Sequence, residues 1–316
     1  MPPSLGRVND LGFVAPIGGG TIPPDIIDRL LTFGGGPRAR VVILPTASSD
    51  PAESGERSAA LFARPGVDVH VAGLLTCEHS SDPAVLDALE QATMVFFTGG
   101  HQARITAAVA GTPAHELLRR RLAGDLLLAG TSAGAVVMGE VMPSDGTGWG
   151  ALLKGEAIPS DAGGEDPGKG AVDERRRPIL LLPGLGFLPG VAVDQHFNAR
   201  GRMGRLLYTI TKHRRQGLVG LGLDESTAAL IQLKTGLMEV VGEGTVFVVR
   251  AAAEGHDNLA ARNAGPGVSA GSPGALATFG LSLDVLPTGY GYDLAGRRPL
   301  APREAGLQRA AAGDQD

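Results

Sequence analysis

The stretch from Asp125 to Gly139 constrains the fold of this chain more than any other. An apolar run at 126–129 leads directly into Gly130-Thr131-Ser132-Ala133-Gly134, and small and apolar residues suited to a helix follow. This order is typical of a strand, a sharp turn and a helix. The glycines two residues before and after Ser132 relieve the crowding of such a turn, so the hydroxyl stands exposed above the sheet edge. The pattern predicts a nucleophile elbow, and the alternative is a tight turn with a capping serine.

Apolar runs alternate with helical patterns through the first 140 residues. Apolar runs occupy residues 11–17, 41–44, 93–97 and 126–129, and helical spacing occupies residues 22–33, 54–63, 82–92 and 114–122. Continuously apolar strands that alternate with helices favour a mostly parallel sheet covered on both faces. We therefore expect a doubly wound α/β fold, with ligands at the carboxyl ends of the strands.

The remaining residues are interpreted as parts of the same domain, which spans residues 1–300. Residues 143–177 are rich in Gly, Asp, Pro, Glu and Arg without a period, so they predict a long loop insertion that contains Trp149. Residues 218–233 predict paired strands around Asp224 and Glu225. Residues 301–316 are polar and rich in alanine, and they predict a disordered tail.

The charge balance argues against a nucleic-acid partner. The formal net charge is -5 and the pI is near 5.8, whereas nucleic-acid binding usually needs a basic face. The single cysteine, Cys77, excludes an intrachain disulfide. No apolar run approaches the ~20 residues of a membrane span, and the chain starts without the pattern of a secretion signal. We expect a cytoplasmic protein with no membrane partner.

The sequence offers no pattern for a metal or cofactor. His-Glu-x-x-His, a cysteine cluster and a His pair at helical spacing are all absent. The triplet Gly18-Gly19-Gly20 lacks the Lys-Ser/Thr of a phosphate loop and makes no Gly-x-Gly-x-x-Gly fingerprint. We therefore expect no metal and no cofactor.

A serine nucleophile needs an imidazole base, and the base needs a carboxylate that orients it. Of the seven histidines, His196 differs because it closes an apolar strand within Asp194-Gln195-His196-Phe197. Asp224 and Glu225 follow another apolar strand, and either is a candidate for the acid. The order Ser132, His196, acid differs from the serine, acid, histidine order of α/β-hydrolases, so the elbow belongs to a different fold.

Other polar groups surround these motifs. The backbone N–H groups of Gly100 and Ala133 are candidates for an oxyanion hole, and the alternative is a plain strand-to-helix turn. Gln102 and Gln195 are suited to hydrogen-bond a substrate carboxylate or amide. Three arginines, Arg200, Arg202 and Arg205, are suited to bind a carboxylate through paired N–H donors, and the alternative is a solvated basic helix.

Several motifs in order resemble one known family. They are Phe97-Thr-Gly-Gly-His-Gln102, Gly130-Thr-Ser-Ala-Gly-Ala135, Pro183-Gly-Leu-Gly-Phe-Leu-Pro-Gly190, Asp194-Gln-His-Phe197 with Arg200, Arg202 and Arg205, and Gly222-Leu-Asp-Glu225. Together they resemble the cyanophycinases of peptidase family S51, serine hydrolases related to aspartyl dipeptidase. The resemblance implies a class I glutamine amidotransferase-like fold and a homodimer. It also implies hydrolysis of cyanophycin, a poly-aspartate that carries arginine on its side chains, to β-Asp-Arg dipeptides.

The resemblance assigns roles to individual residues. It implies that Ser132 is the nucleophile, His196 the base and Glu225 the orienting acid. It places six residues in the substrate site: Gln102, Asp194, Gln195, Arg200, Arg202 and Arg205. The family commonly has an acidic residue where His101 stands, and the insertion around residues 163–176 is longer and more charged than expected. The alternatives are a related aspartyl or isoaspartyl peptidase for another Asp-containing or β-aspartyl peptide, and a catalytically silent binding protein.

Overall fold

The structure is a computed structural model that describes residues 12–157, 174–259, 275–302 and 307. The first half alternates strands and helices in the order β1 (Phe13–Ile17), α1 (Pro24–Phe33), β2 (Arg40–Leu44), α2 (Pro51–Phe62), β3 (Asp68–Val71), α3 (Pro83–Gln91), β4 (Met94–Phe97), α4 (Gln102–Val109), α5 (Pro113–Leu122), β5 (Leu127–Thr131) and α6 (Ala133–Val136). The second half is richer in strands: β6 (Gly139–Asp145), α7 (Gly148–Lys154), β7 (Leu180–Pro183), β8 (Leu188–Asp194), α8 (Met203–Lys212), β9 (Val219–Leu223), β10 (Thr227–Gln232), β11 (Leu237–Gly242), β12 (Thr245–Ala251), β13 (Leu281–Pro287), β14 (Gly291–Asp293) and β15 (Arg298–Leu300).

Three helices begin at a capping side chain followed by proline. Asp50 caps α2, Asp82 caps α3 and Thr112 caps α5, and in each case the side-chain oxygen accepts a hydrogen bond from a backbone N–H of the first turn. Proline suits the first helical position because it has no N–H to leave unpaired and its φ is already helical. These short sequence signals fix the residue at which each of the three helices begins.

The strands form two sheets, whereas the sequence predicted one. The larger sheet has the order β15-β14-β11-β10-β1-β5-β4-β2-β3, and the smaller has the order β13-β12-β9-β8-β6-β7. In the larger sheet β1, β5, β4, β2 and β3 are parallel, as predicted, and β10 continues the sheet antiparallel to β1. In the smaller sheet β6, β8 and β9 are parallel. The carboxyl ends of these parallel strands carry the candidate site.

Apolar packing joins the layers. One face of the larger sheet packs against α1 and α2, through residues that include Ile17, Ile27, Phe62 and Phe96. Its other face packs against α3, α5, α6 and the inner face of the smaller sheet. The outer face of the smaller sheet is covered by α8. Each sheet thus buries both faces over much of its length, which explains the continuous apolar runs.

Three sequence expectations change in the structure. The predicted pairing of strands around Asp224 and Glu225 is wrong, because β9 and β10 lie in different sheets. Part of the predicted loop insertion is regular structure instead, because residues 143–145 end β6 and residues 148–154 form α7, and residues 158–173 lie outside the described residues. In the predicted tail, Leu307 is buried and its carbonyl accepts a hydrogen bond from Arg29. Residues 303–306 and 308–316 lie outside the described residues.

The contact between α7 and α8 depends on glycine, and this predicts a stability effect. A Cβ at Gly204 would lie 2.2 Å from the carbonyl oxygen of Gly148. We therefore expect Gly204→Ala to lower the free energy of unfolding by roughly 1–3 kcal/mol, as overpacked sites do. Gly73→Ala is the matched control, because nothing lies within 4 Å of a Cβ there. Equal urea denaturation curves for the two variants would contradict this account.

Candidate active site

Ser132, His196 and Glu225 meet at the carboxyl edges of the two sheets. Ser132 directly follows β5, His196 lies two residues beyond β8, and Glu225 lies two residues beyond β9. Ser132 Oγ lies 2.9 Å from His196 Nε2, and His196 Nδ1 lies 2.5 Å from Glu225 Oε1. In the tautomer that satisfies both contacts, Nδ1–H donates to the carboxylate and Nε2 accepts from the serine hydroxyl. This is the arrangement of a nucleophile, a base and an orienting acid.

The end of β1 holds these three chain segments in place. The Ile17 carbonyl accepts a hydrogen bond from the Ser132 N–H at 3.0 Å. The next two carbonyls, of Gly18 and Gly19, accept from the N–H of His196 at 2.7 Å and of Ser226 at 2.8 Å. Three successive peptide groups thus bind the backbone at, or next to, each member of the triad.

The triad segments have unusual backbone angles. The φ angles of Ser132, His196 and Ser226 are 53°, 46° and 55°. Four non-glycine residues in the described part of the chain have positive φ, and these are three of them. Such conformations cost of order 1–3 kcal/mol each and persist only where the surroundings enforce them. The hydrogen bonds from the end of β1 provide that enforcement.

Gly19 and Gly20 make room for the imidazole and the carboxylate. A Cβ at Gly19 would lie 2.4 Å from His196 Cε1, and one at Gly20 would lie 2.9 Å from Glu225 Cβ. Both glycines also have positive φ, at 98° and 71°. The sequence pattern excluded a phosphate loop at this triplet but did not indicate its role beside the imidazole. The available signal was its position directly after the first buried strand.

The structure distinguishes the two acidic candidates. Asp224 accepts hydrogen bonds from the backbone and side chain of Asn198, at 3.1 and 3.0 Å, and from Thr245 Oγ1 at 2.5 Å. These contacts join the segment after His196 to β12. Glu225 is the residue that contacts the imidazole, as the family resemblance implied.

Burial and charge lower the pKa of His196 below its ordinary value of 6.5. Burial is the largest cause, since it disfavours the charged imidazolium. The positive charges of Arg200 and Arg202 act in the same direction, whereas the hydrogen bond and charge of Glu225 raise the pKa. At neutral pH the imidazole is therefore uncharged and able to accept a proton.

The predicted oxyanion donors belong to two segments that lie next to Ser132. Ala133 is the first residue of α6 and follows Ser132 directly. A Cβ at Gly99, next to Gly100, would lie 3.5 Å from Ser132 Cβ. In the described part of the chain, neither the Gly100 nor the Ala133 N–H donates to a protein acceptor. Both groups are thus available to a ligand, and their part in catalysis stays a prediction.

The two glutamines occupy different positions. Gln195 is 5% exposed, and its Oε1 lies 3.5 Å from Ser132 Oγ. Gln102 opens α4, and its Nε2 donates to the backbone carbonyl and the hydroxyl of Ser144. Gln195 therefore lies beside the Ser132 hydroxyl, whereas Gln102 is bonded to the end of β6.

Asp194 and Arg205 are buried, so the prediction that they contact substrate needs correction. Asp194 is 0% exposed and Arg205 is 2% exposed. Arg205 Nε and Nη2 donate to the two carboxylate oxygens of Asp194 at 3.0 and 2.9 Å. Its other bonds go to the carbonyls of Pro143 and Gly146. The hydrogen-bonding groups of the pair are already engaged by the protein. The pair therefore has a structural role, which is to support the segment that bears Gln195 and His196.

The other two arginines are closer to solvent. Arg200 is exposed, and the Arg202 side chain is 13% exposed. Arg202 Nη1 donates to the carbonyl of Gln195 at 2.8 Å and lies 3.4 Å from Asp194 Oδ1. Burial lowers the pKa of Arg202 to about 10, so it remains cationic at neutral pH. Both cations can attract an anionic group, and their contact with a substrate stays a prediction.

The described residues contain no group of three or more His, Cys, Asp or Glu side chains that could hold a metal ion. In the same part of the chain, no helix combines the length and the apolar character that crossing a membrane requires.

Comparisons with known proteins find clear relatives. Residues 17–237 match the model of Peptidase family S51. The chain is 34% identical over 279 residues to a cyanophycinase from Geminocystis herdmanii, with 88% of this chain and 90% of the relative covered. It is 34% identical over 278 residues to a cyanophycinase from Trichormus variabilis, with 87% and 82% covered.

A solved structure supports the fold. The crystal structure of a peptidase from an acI-B1 Actinobacterium is 20% identical, has a TM-score of 0.54, and is matched over 75% of this chain and 90% of its own. The predicted α/β fold of the class I glutamine amidotransferase type is confirmed.

The charges around His196 predict opposite pH shifts in two variants. Labelling of Ser132 by a fluorophosphonate should rise with pH through the His196 pKa, because only the neutral imidazole accepts the proton. Arg200→Ala removes a charge that lowers this pKa, so its acid limb should move to higher pH. Glu225→Gln removes a group that raises the pKa, so its limb should move to lower pH, with a reduced plateau rate. Shifts of the same sign in both variants would refute this assignment.

The close approach of Gly19 to the imidazole predicts a specific loss of nucleophile reactivity. A methyl group there displaces the His196 ring, and misplacement by about 1 Å typically lowers rates ~100-fold. We expect Gly19→Ala to lower the labelling rate of Ser132 by that order while the protein still folds. Gly190→Ala is the control, since Gly190 also has positive φ, at 70°, but nothing lies within 4 Å of its Cβ. Equal losses of labelling rate in both variants would show that backbone strain, and not contact with the imidazole, causes the effect.

Proposed function

The chain belongs to peptidase family S51, and we propose that it is a serine exopeptidase that hydrolyses cyanophycin to β-Asp-Arg dipeptides. The observation that carries the proposal is the continuous contact from Ser132 Oγ through the His196 ring to Glu225. The names of its relatives from Geminocystis and Trichormus supply the substrate. The two lines of support are independent, because the contacts come from this chain alone.

The first half of the reaction forms an acyl-enzyme. Ser132 Oγ attacks the carbonyl carbon of the scissile amide while His196 Nε2 takes the hydroxyl proton. The carbonyl oxygen gains negative charge, which the N–H groups of Gly100 and Ala133 stabilise; loss of one such donor typically lowers the rate ~100- to 1000-fold. The C–N bond then breaks, and the imidazolium returns the proton to the leaving amine. Glu225 stabilises the imidazolium while it exists.

The second half releases the acid product. A water molecule gives a proton to His196 Nε2 and attacks the ester carbonyl. The new tetrahedral intermediate collapses, the bond to Ser132 Oγ breaks, and the proton returns to the serine. The enzyme is restored, and the net change is the addition of one water across one amide bond.

The charges near the triad suit a substrate that carries carboxylates. Arg200 and Arg202 present cationic groups within reach of the triad, and Gln195 offers an amide beside Ser132. The Asp194–Arg205 pair fixes the segment that bears Gln195 and His196. In this proposal Arg200, Arg202 and Gln195 contact the substrate, whereas Asp194 and Arg205 position them.

A second candidate is a related aspartyl or isoaspartyl peptidase for another Asp-containing peptide. It is favoured by His101, which is exposed beside Gln102 where the family commonly has an acid. The engagement of Gln102 by Ser144 points the same way, because it occupies donors that a substrate would use. The chemistry at Ser132 is the same for both candidates.

Two further parts belong to the proposal. Action as a homodimer is implied by the family resemblance, and location in the cytoplasm is the expectation drawn from the sequence patterns. Light scattering of the purified protein tests the first, and fractionation of the native host tests the second.

The function predicts a defined product that depends on Ser132. Wild-type protein incubated with insoluble cyanophycin should release soluble β-Asp-Arg dipeptide, detected by mass spectrometry, because the amide is cleaved by Ser132. Ser132→Ala should release none, and its circular dichroism should match that of the wild type. If fluorophosphonate labels Ser132 but no dipeptide appears, soluble Asp dipeptides are the next substrates, and turnover of these would favour the second candidate. Full activity in Ser132→Ala would overturn the mechanism.

A further inference from the structure

Trp149 is the only tryptophan of the chain, and it is 60% exposed. It lies in the first turn of α7, in a region for which the sequence composition predicted a loop. Helical side chains lean toward the amino end of their helix. The amino end of α7 follows the carboxyl end of β6, which runs parallel to β8, so the turn that bears Trp149 lies at the sheet edge that carries the triad.

Close backbone contacts fix the position of Trp149 relative to the arginines. A Cβ at Gly148 would lie 2.3 Å from the Gly201 carbonyl oxygen, so these two backbones touch. Gly201 lies between Arg200 and Arg202. Thr147 caps α7 by accepting a hydrogen bond from the Gly150 N–H at 2.9 Å, and the buried Arg205 donates to Gly146. The first turn of α7 is therefore held against the segment that borders the substrate site.

In the described part of the chain, the four carboxylates at or just after the carboxyl ends of β6, β8 and β9 already have partners. The carboxylates of Asp145, Asp194, Asp224 and Glu225 already contact Arg177, Arg205, Asn198 and His196 respectively. Arg200 and Arg202 repel a further cation. The substrate of the proposed function nevertheless carries a guanidinium on every side chain.

The indole of Trp149 meets this requirement. The face of an aromatic ring attracts a guanidinium, and tryptophan does so best. Among the described residues, two guanidinium groups lie over aromatic rings, Arg29 over Phe33 and Arg250 over Tyr292, and neither uses Trp149. The ring is therefore open to an external cation.

We propose that Trp149 is a specificity residue that binds a guanidinium of the substrate against its ring face, while Arg200 and Arg202 bind carboxylates. This proposal rests on the proposed function. Trp149 acts on binding rather than on the chemical step, because its position is at the rim of the site and not at the reacting atoms.

The first test uses the fluorescence of the single tryptophan. Ser132→Ala protein is titrated with β-Asp-Arg dipeptide and with the same dipeptide carrying citrulline, which has the shape of arginine without the charge. We expect a saturable change in emission with the arginine dipeptide and a markedly weaker response with citrulline. No change with either ligand, or equal changes with both, would overturn the proposal. A saturable arginine-specific change supports it even if the wild type fails to degrade the polymer, so the two proposals fail separately.

The second test separates binding from catalysis with cyanophycin as substrate. We expect Trp149→Ala to raise KM roughly 3- to 30-fold, the range that a cation–π contact spans, with kcat within about twofold. Trp149→Phe keeps an aromatic face and should recover most of the loss. Phe279→Ala is the control, because Phe279 is 66% exposed and contacts the region of Arg214 beyond the far end of α8. An unchanged KM in Trp149→Ala, or an equal loss in Trp149→Phe, would overturn the proposal.

Discussion

The site depends on three consecutive carbonyl groups at the end of the first strand. The carbonyls of Ile17, Gly18 and Gly19 accept hydrogen bonds from the backbones of Ser132, His196 and Ser226. Ser132 follows a strand of the larger sheet, whereas His196 and Ser226 follow strands of the smaller sheet. These hydrogen bonds therefore connect the two sheets next to the triad. Breaking a buried hydrogen bond costs more free energy than forming it contributes, because the two freed groups remain buried with neither water nor a protein partner. The triad geometry is therefore tied to the fold itself.

A buried ion pair provides the second support. Asp194 and Arg205 lie out of water, and burial of two charges is favourable only where the geometry satisfies their hydrogen-bonding groups. Here the two side chains bond each other, and the remaining donors of Arg205 reach the carbonyls of Pro143 and Gly146. One guanidinium therefore connects the segment of His196, the start of α8 and the segment that leads to Trp149. Rigid support of this kind keeps a catalytic group within the small displacement that its chemistry tolerates.

Much of the site was predictable because its signals are local. The elbow at Ser132 and the strand that ends near His196 needed only short patterns, and the helix starts at Asp82 and Thr112 followed from a capping residue before proline. The errors came from contacts between distant residues. Burial of Asp194 and Arg205 depends on packing across three elements, and the separation of β9 from β10 depends on which sheet each strand joins. The sequence of a turn between two apolar strands does not show whether the strands pair with each other or join different sheets.

The sequence by itself determined the class of fold, the candidate nucleophile and base, and the family, because apolar periodicity, glycine spacing and motif order are properties of neighbouring residues. Tertiary structure decided which polar residues face solvent and what the glycines after β1 do, and it supplied the physical reason for the acid that the family resemblance implied. Glu225 rather than Asp224 meets the imidazole because Asn198 and Thr245 occupy Asp224. Gly19 must lack a side chain because His196, 177 residues later in the chain, lies against it. Such choices depend on distances through space, which no local pattern records.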